Sequence, residues 1–318
     1  MDKKVLSNFA LFITALIWGL SFVAQKAGME FVGPFSFNFA RSILGGISLI
    51  PFIFIAKFLK EDKRTPKHKH HQHLILTRAG ISCGLALFTA MSIQQYSMLH
   101  ASAGKAGFIS ALYIIFVPLI LKFFGEKLLL NTKISVGIAL IGLYLLCFGN
   151  NKGIGIDFYD ILLLIAAFFY GVHIIVVNYF SKKVDAAKIS CLQFFVVGIL
   201  SIPFMLLFET PHLQGFIDCR IPILYAGILT CGVAYTLQIF GQKYSTPTIA
   251  SLILCLESVF AVIGGSIILH ESMSTKEIIG CIFMISAVII SQINLKSIKK
   301  VPLSLSLTEE EKTVDSDL

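Results

Sequence analysis

Long apolar segments alternate with short polar connections along almost the whole chain. Each apolar segment is about twenty residues long, which is the length that an α-helix needs to cross the roughly 30 Å hydrocarbon core of a bilayer. The pattern therefore predicts an all-α polytopic membrane protein with ten transmembrane helices. The predicted helices span residues 7–25, 34–57, 76–98, 102–123, 132–149, 157–180, 187–208, 221–242, 247–269 and 276–295.

The composition agrees with this prediction. Of the 318 residues, 56% are hydrophobic and only 14% are charged, and the mean hydropathy is +0.83. A soluble protein carries about 25% charged residues, which it needs to cover its apolar interior. The composition therefore excludes a water-soluble globular protein and leaves an integral membrane protein.

Basic residues are divided unequally between the two sides of the predicted bundle. Most of the 26 Lys and Arg residues lie on the side of the N-terminus, many of them within 57–78 and 296–312. Because cytoplasmic loops carry an excess of Lys and Arg, both termini are predicted to be cytoplasmic. We expect a bacterial plasma (inner) membrane. The formal net charge of +8 is then explained by topology, and no nucleic-acid partner is expected.

The chain also contains traces of an internal repeat. The tripeptide Ile-Pro-Phe occurs at 50–52 and again at 202–204, and Trp18-Gly19 matches Tyr170-Gly171 at the same interval. Such ordered matches predict two homologous halves, residues 1–150 and 151–300. Each half has five spans, so the second must be inverted in the membrane, as in many secondary transporters. Residues 301–318 are polar and acidic, and we expect a disordered cytoplasmic tail.

Four segments carry a resemblance to a known family. They are ALIWGLSFVAQK (15–26), FARSILGG (39–46), SAGKAGFISALYIIFVPLILKFFGEKL (102–128) and TIASLILCLESVFAVIGGSIILHES (248–272). With them the chain resembles the drug/metabolite transporter superfamily, specifically its ten-span EamA-type exporters, over nearly all of residues 8–295. The resemblance implies a proton-linked or passive carrier of small organic molecules such as amino acids, other metabolites or toxic cations.

The chain departs from the family pattern at two places. Members usually have proline after the acidic residue of the ninth helix, where this chain has Ser258, and the matching place in the first half is Tyr113. The Gly-Glu step that ends the fourth helix, Gly125-Glu126, is replaced by His270-Glu271 at the end of the ninth.

Glu257 is the first candidate for a functional residue. It lies near the middle of an otherwise apolar predicted span, where an acidic side chain costs about 2.5–3.5 kcal/mol to insert. Such residues usually face a bundle interior or a wet cavity. Glu257 is therefore predicted to couple transport to protons or to pair with a cationic substrate. The alternative is a neutral side chain hydrogen-bonded to a neighbouring helix.

Arg41 is the second candidate, because it lies roughly 10 Å inside the second span at 1.5 Å per residue. It is suited to bind a substrate carboxylate, unless its long stem instead carries the charge to the headgroups. Gln193 is its repeat partner, so the two halves differ in charge at equivalent places. Asn38 adds a polar side chain to the same span.

Aromatic and titratable side chains complete the predicted substrate pathway. Trp18 and Tyr170 are repeat partners within spans and could stack on a flat or cationic ligand. Tyr113, His173 and Tyr235 lie at similar depth, and His173 titrates near neutral pH in its ordinary state. For each of these residues, ordinary helix packing or interhelical hydrogen bonding is the alternative.

No sequence motif indicates a cofactor, a metal centre or an enzyme. Clustered histidines such as those of KHKHHQH (67–73) can bind metal, but this segment lies among other basic residues, and a solvated basic loop is the better interpretation. The HExxH and Walker A motifs are absent from the sequence, and no GxSxG nucleophile elbow is found, because the one such string, residues 80–84, lies within a predicted span and not at a strand-to-helix turn.

The sequence therefore predicts a secondary transporter, an exporter of small organic metabolites such as amino acids, that works by alternating access and is proton-coupled or passive. Its expected partners are a small-molecule substrate and the lipid bilayer. Two alternatives stay open at this point: an exporter of multiple drugs or lipophilic cations, and a membrane scaffold or receptor without transport activity.

Overall fold

The computed structural model describes residues 2–59, 66–101, 103–126, 128–147, 157–268 and 274–292. These residues form α-helices joined by short connections, with one segment of π-helix. The helices are α1 (Lys3–Gly28), α2 (Pro34–Leu59), α3 (Pro66–Ser97), α4 (Ala103–Ala111), α5 (Tyr113–Phe123), α6 (Leu130–Cys147), α7 (Phe158–Ser181), α8 (Ala186–Phe208), α9 (Leu213–Asp218), α10 (Arg220–Leu224), the π-helix (Tyr225–Ala234), α11 (Tyr235–Gln242), α12 (Pro247–Leu254), α13 (Glu257–Ile268) and α14 (Thr275–Gln292).

The predicted ten-span, all-α membrane fold is confirmed. Within the described residues, nine helical segments are long and apolar enough to cross a membrane, and Leu130–Leu145 is a shorter apolar helix. The fourth span consists of α4 and α5, the eighth of α10, the π-helix and α11, and the ninth of α12 and α13. We call the side on which α1 begins the near side, and the opposite side, on which α2 begins, the far side.

The histidine-rich segment differs from its prediction. Helix α3 begins at Pro66, so 67–73 is helical and not a loop. A helix forms there because Lys, His and Gln all tolerate helical geometry and Pro66 occupies the first helical position. The predicted tail, residues 301–318, and the second family-like step at His270-Glu271 lie outside the described residues.

The helix packing has the symmetry of an inverted repeat. Helix α2 packs against α8, and α6 packs against α14, so each of these pairs joins equivalent helices of the two halves. Helix α1 packs against the π-helix and α11, while its counterpart α7 packs against α3. Similarly, α1 contacts α12 and α13, and α7 contacts α4 and α5. Exchanging the two halves maps each of these contacts onto another.

One pair of loop contacts shows this symmetry in atomic detail. The Lys26 ammonium, at the far end of α1, donates to the carbonyl oxygens of Met98 (2.7 Å) and Ala101 (3.4 Å). Asn178 is the repeat partner of Lys26, at the interval that also pairs Trp18 with Tyr170. Its amide donates to the carbonyl oxygens of Gln242 (2.8 Å) and Ser245 (2.9 Å). The same contact therefore fixes the third connection of each half.

Two of the ten spans are interrupted at equivalent depth. Helix α4 ends at Ala111 and α5 begins at Tyr113, while α12 ends at Leu254 and α13 begins at Glu257. At the second interruption, the Leu256 and Ser258 amides donate to carbonyls three residues back instead of four. The ninth span is thus interrupted without the proline that the family usually has there, because tight 3₁₀-type bonds are enough to break the α-helical ladder.

Helices α6 and α14 approach each other closely at Gly142. A Cβ added there would lie 2.8 Å from the Gly280 carbonyl oxygen and 2.9 Å from the Met284 nitrogen. Gly137 lies in the same helix, and no atom of the described residues lies within 4 Å of its added Cβ. We expect Gly142→Ala to destabilise the protein by about 1–3 kcal/mol, the usual cost of overpacking. Gly137→Ala should leave the thermal unfolding midpoint in detergent unchanged or slightly higher, because alanine favours the helix. Equal midpoints for the two variants would contradict the close approach.

A capping box starts α7 on the far side. Asp157 accepts from the Asp160 amide (2.9 Å), and Asp160 accepts from the Asp157 amide (2.9 Å). The Lys105 ammonium of α4 lies 2.6 Å from the Asp160 carboxylate and 3.6 Å from that of Asp157. The capping hydrogen bond, together with Lys105, lowers the pKa of Asp157 below its ordinary value.

This lowered pKa has a consequence for stability. A group with a depressed pKa stabilises the folded state above its ordinary value of 3.8, and the stabilisation is lost as the pH falls through the folded pKa. We therefore expect Asp157→Ala to lower the unfolding midpoint at neutral pH, and the difference from wild type to shrink in acid. The exposed Asp218 provides the control variant, Asp218→Ala. A difference that stays constant across pH would show that the charge of Asp157 has no role.

Candidate functional site

A cavity lies between the two halves. The empty space among its lining atoms is about 440 Å³, which includes the open space at its mouth. Its lining is polar on one part and aromatic on another, and it draws on seven of the ten spans. The lining residues are Trp18, Ser21, Phe22, Gln25, Arg41, Met91, Gln94, Ser110, Tyr113, Tyr170, Thr230, Cys231, Tyr235 and Glu257.

The cavity extends from the middle of the bundle toward the far side. Gln25 and Gln94 lie in the last turns of α1 and α3, which end on the far side, and Arg41 lies two turns from the far-side start of α2. Tyr170 and Glu257 lie near the middle of their spans. The cavity therefore reaches the midplane, where inverted-repeat transporters hold their substrates.

Glu257 lies at the point where the two interrupted spans meet. It is the first residue of α13 and is 5% exposed. Its carboxyl oxygen Oε1 accepts a hydrogen bond from the hydroxyl of Tyr113, the first residue of α5, at 3.1 Å. Position at a helix N-terminus favours a negative charge, whereas burial opposes it. The helix terminus and the burial therefore act on a charge at this carboxyl in opposite directions.

Arg41 is held in place by its own helix. Its Nε donates to Oδ1 of Asn38, one turn earlier, at 2.9 Å, and the guanidinium lies 5.5 Å from the centroid of the Phe37 ring. Its Nη2 is buried without a hydrogen-bond partner. Within the part of the chain that the structure describes, no carboxylate lies within ion-pair distance of Arg41. The guanidinium is thus buried, oriented and still able to bind an anion.

A chain of hydrogen bonds crosses the cavity wall between the halves. The Tyr170 hydroxyl donates to Oε1 of Gln94 (2.8 Å), and Nε2 of Gln94 donates to the Ser110 hydroxyl (2.7 Å). On α1, Nε2 of Gln25 donates to the Ser21 hydroxyl at 3.2 Å. These bonds fix the orientation of polar groups that a hydrogen-bonding solute would contact.

The aromatic part of the lining centres on Tyr235. The centroid of its ring lies 4.6 Å from that of the Trp18 ring and 5.0 Å from that of the Phe194 ring. The indole Nε1 of Trp18 and the hydroxyl of Thr230 are buried without partners. The π-helix that carries Thr230 shifts the register of the eighth span just before Tyr235, and such π-helical segments are frequent at functional sites.

Six of the nine side chains predicted for the substrate pathway line the cavity. They are Trp18, Arg41, Tyr113, Tyr170, Tyr235 and Glu257. The other three lie outside the lining. Asn38 accepts a hydrogen bond from Nε of Arg41. His173 and Gln193 form a hydrogen bond of 3.1 Å with each other. The functional role of each of the nine stays a prediction.

Sequence reasoning missed several polar lining residues. Ser21 and Gln25 follow Trp18 at spacings of three and seven, so the three share one face of α1. That periodicity within an apolar segment was the available signal. Ser110 and Thr230 had no comparable signal, because a lone hydroxyl in a membrane helix usually bonds to its own backbone. Among the described residues, no group of three or more His, Cys, Asp or Glu side chains could hold a metal ion.

The ten-span inverted repeat with a polar cavity at its centre defines an integral membrane transporter. Comparison with known proteins agrees with this class. The EamA-like transporter family matches residues 5–148 and again residues 157–292. The chain therefore belongs to the EamA-like transporter family, and the two matches fall on the two halves of the fold.

Relatives from archaea and bacteria are similar along almost their whole length. An uncharacterized transporter of Archaeoglobus fulgidus is 27% identical over 289 residues, covering 91% of this chain and 86% of the relative. The uncharacterized transporter YoaV of Bacillus subtilis is 24% identical over 275 residues, covering 85% and 90%. A solved crystal structure superposes with a TM-score of 0.74 at 16% identity, covering 92% of this chain and 98% of that one, and supports the fold alone.

Proposed function

We propose that this protein is a proton-coupled secondary transporter that exports small organic metabolites, such as amino acids or related compounds, by alternating access. The observation that carries the proposal is the placement of Glu257. It is buried, it lies where both interrupted spans meet, and among the described residues it is the only acidic side chain in the cavity lining. The direction of transport rests on the resemblance to EamA-type exporters.

Alternating access is supported by the symmetry of the packing. The cavity occupies the far half of the bundle, and the halves also contact each other on the near side. There the Ser7 hydroxyl of α1 donates to the Gly241 carbonyl, and the Thr14 hydroxyl donates to the Ala234 carbonyl at 3.0 Å. Because the repeats are inverted, exchanging their conformations would close the far side and open the near side.

Proton coupling is supported by the chemistry of Glu257. A carboxyl at this depth is expensive to leave ionised and unpaired. When a solute ammonium or a proton occupies the cavity, the cost is relieved, and the loaded site can change conformation. Without either, the ionised carboxyl would oppose closure of the cavity around it.

The opposed charges of the cavity favour zwitterionic solutes. Arg41 presents a free guanidinium nitrogen that suits a carboxylate, and Glu257 suits an ammonium group. Lipophilic cations are the second candidate, because Trp18, Tyr170 and Tyr235 offer aromatic faces beside Glu257. A buried arginine in the same lining opposes a cationic substrate, so we favour the first class.

The proposed location is the bacterial plasma membrane, with the near side in the cytoplasm. This placement rests on the excess of Lys and Arg in the near-side connections. It makes the far-side cavity an outward-facing one.

The proposal is tested with purified protein in liposomes that contain a pH-sensitive dye. Pools of amino acids, nucleobases and lipophilic cations are supplied, and solute movement is followed by mass spectrometry. We expect the amino-acid pool to move when a pH gradient is imposed, at rates above those of protein-free liposomes. If no pool moves faster than in protein-free liposomes, the transport proposal is wrong.

A further inference from the structure

A second set of buried polar side chains lies on the near side of the cavity. His173 of α7 and Gln193 of α8 are 1% and 0% exposed and hydrogen-bond to each other at 3.1 Å. Gln238 of α11 is 0% exposed, and neither its amide nitrogen nor its amide oxygen has a hydrogen-bond partner within the part of the chain that the structure describes. The amide nitrogen of Gln193 also has none. We call these three residues the near-side polar cluster.

The near-side polar cluster is separated from the cavity by Tyr235. This tyrosine lines the cavity, and the centroid of its ring lies 5.9 Å from that of the His173 ring in an edge-to-face arrangement. Gln238 follows Tyr235 by three residues, so it lies on the same face of α11, one turn closer to the near side. The cluster therefore lies next to the near-side end of the cavity, beyond Tyr235.

The inverted repeat relates this cluster to the cavity. The interval that pairs Trp18 with Tyr170 also pairs Ser21 with His173 and Arg41 with Gln193. Ser21 and Arg41 line the far-side cavity, and their partners form the hydrogen-bonded pair of the cluster. The two-fold axis of the repeat therefore maps part of the open cavity onto the packed cluster.

The unsatisfied groups of the cluster need an explanation. A buried amide without a hydrogen-bond partner destabilises a folded protein, because it has lost its bonds to water. Gln95 has the same unpaired amide without lining the cavity, so the unpaired groups indicate a solute pathway only together with the position of the cluster next to the cavity and its repeat relation to the lining. Packing alone would be served better by leucine, which has a similar size and no polar atoms.

We propose that His173, Gln193 and Gln238 form the collapsed near-side half of the solute pathway and contact the solute when the near side opens. This inference rests on the proposed alternating-access transport. It assigns the two half-pathways different chemistry, since the far half holds the Arg41 cation and the near half holds the amide of Gln193 in its place. A solute carboxylate would then be held less tightly on the near side than on the far side.

The test is side-specific thiol labelling in sealed vesicles of both orientations, read for each cysteine by peptide mass spectrometry. The native cysteines are recorded in the same digest. We expect a membrane-impermeant thiol reagent to modify the cysteine of Gln238→Cys from the near side only. Gln193→Cys is a second variant with the same expectation.

Gln95→Cys is the matched control. Gln95 is 0% exposed with an unpartnered amide, like Gln238, but it lies at the far end of α3 and does not line the cavity. Near-side labelling of Gln238→Cys should be about tenfold faster than labelling of Gln95→Cys, because a permanently buried thiol is inert. Equal rates in both near-side variants and the control, or labelling of the near-side variants from the far side, would overturn the inference.

The labelling does not depend on which solute is carried. Failure of the flux assay with near-side labelling intact would therefore count against the proposed substrates and coupling, and not against the pathway. Normal flux without near-side labelling would count against the pathway alone.

Discussion

Glu257→Gln is expected to abolish solute movement driven by a pH gradient. Glutamine has nearly the same size and can still accept the Tyr113 hydrogen bond, so the fold should be preserved. It cannot bind and release a proton, so gradient-driven flux in liposomes should fall about tenfold or more, to the rate of empty liposomes. Folding is checked by the elution profile and unfolding midpoint of the purified variant.

The matched control is Glu30→Gln. Glu30 is exposed and lies in the far-side connection between α1 and α2. It removes the same charge outside the cavity and should transport at the wild-type rate. If Glu257→Gln transports normally at every pH while remaining folded, the carboxyl is a structural hydrogen-bonding group and the coupling proposal fails.

Arg41→Gln is expected to change the affinity for solutes according to their charge. Zwitterions and anions should bind more weakly, by roughly 10- to 150-fold in apparent affinity, because a hydrogen bond to a charged group contributes about 1.5–3 kcal/mol. Purely cationic solutes should be spared, or bind more tightly, once the positive charge beside Glu257 is removed. The measurement is competition by single solutes against one labelled solute in liposomes.

Two further variants make this result specific. Arg220→Gln removes an exposed far-side arginine and should change no affinity. Arg41→Lys keeps the charge, but lysine lacks the planar fork that Asn38 and a carboxylate engage together, so it should restore only part of the binding. An equal loss for zwitterions and cations in Arg41→Gln would contradict carboxylate binding by Arg41.

The hydrophobic pattern was sufficient to predict the helices and their number. Apolar runs of bilayer length leave no other regular structure, because every backbone polar group in lipid must be bonded within its own helix. The burial of Glu257 followed from the same pattern, since an acidic side chain in a span usually faces the protein interior or a wet cavity. For Arg41 the sequence left the headgroup region as an alternative, and the structure buries the side chain.

Features that depend on long-range packing were not visible in the sequence. The carboxylate of Glu209, which follows α8, accepts from the amides of Phe35 (2.7 Å) and Ser36 (2.8 Å) and so caps α2 of the other half. The π-helix at Tyr225–Ala234 likewise has no signature, because its residues are those of any membrane helix. The interruption before Glu257 occurs without a proline, and the pairing of His173 with Gln193 required the fold.

The most direct test of proton coupling through Glu257 uses a solute gradient alone. Liposomes are prepared with equal pH inside and outside, a transported solute is added to one side, and the internal dye and the solute are recorded together. We expect the solute gradient to change the internal pH in wild-type liposomes and not in Glu257→Gln liposomes. Solute that equilibrates in wild-type liposomes without any change in internal pH would contradict it, and the protein would be a passive carrier.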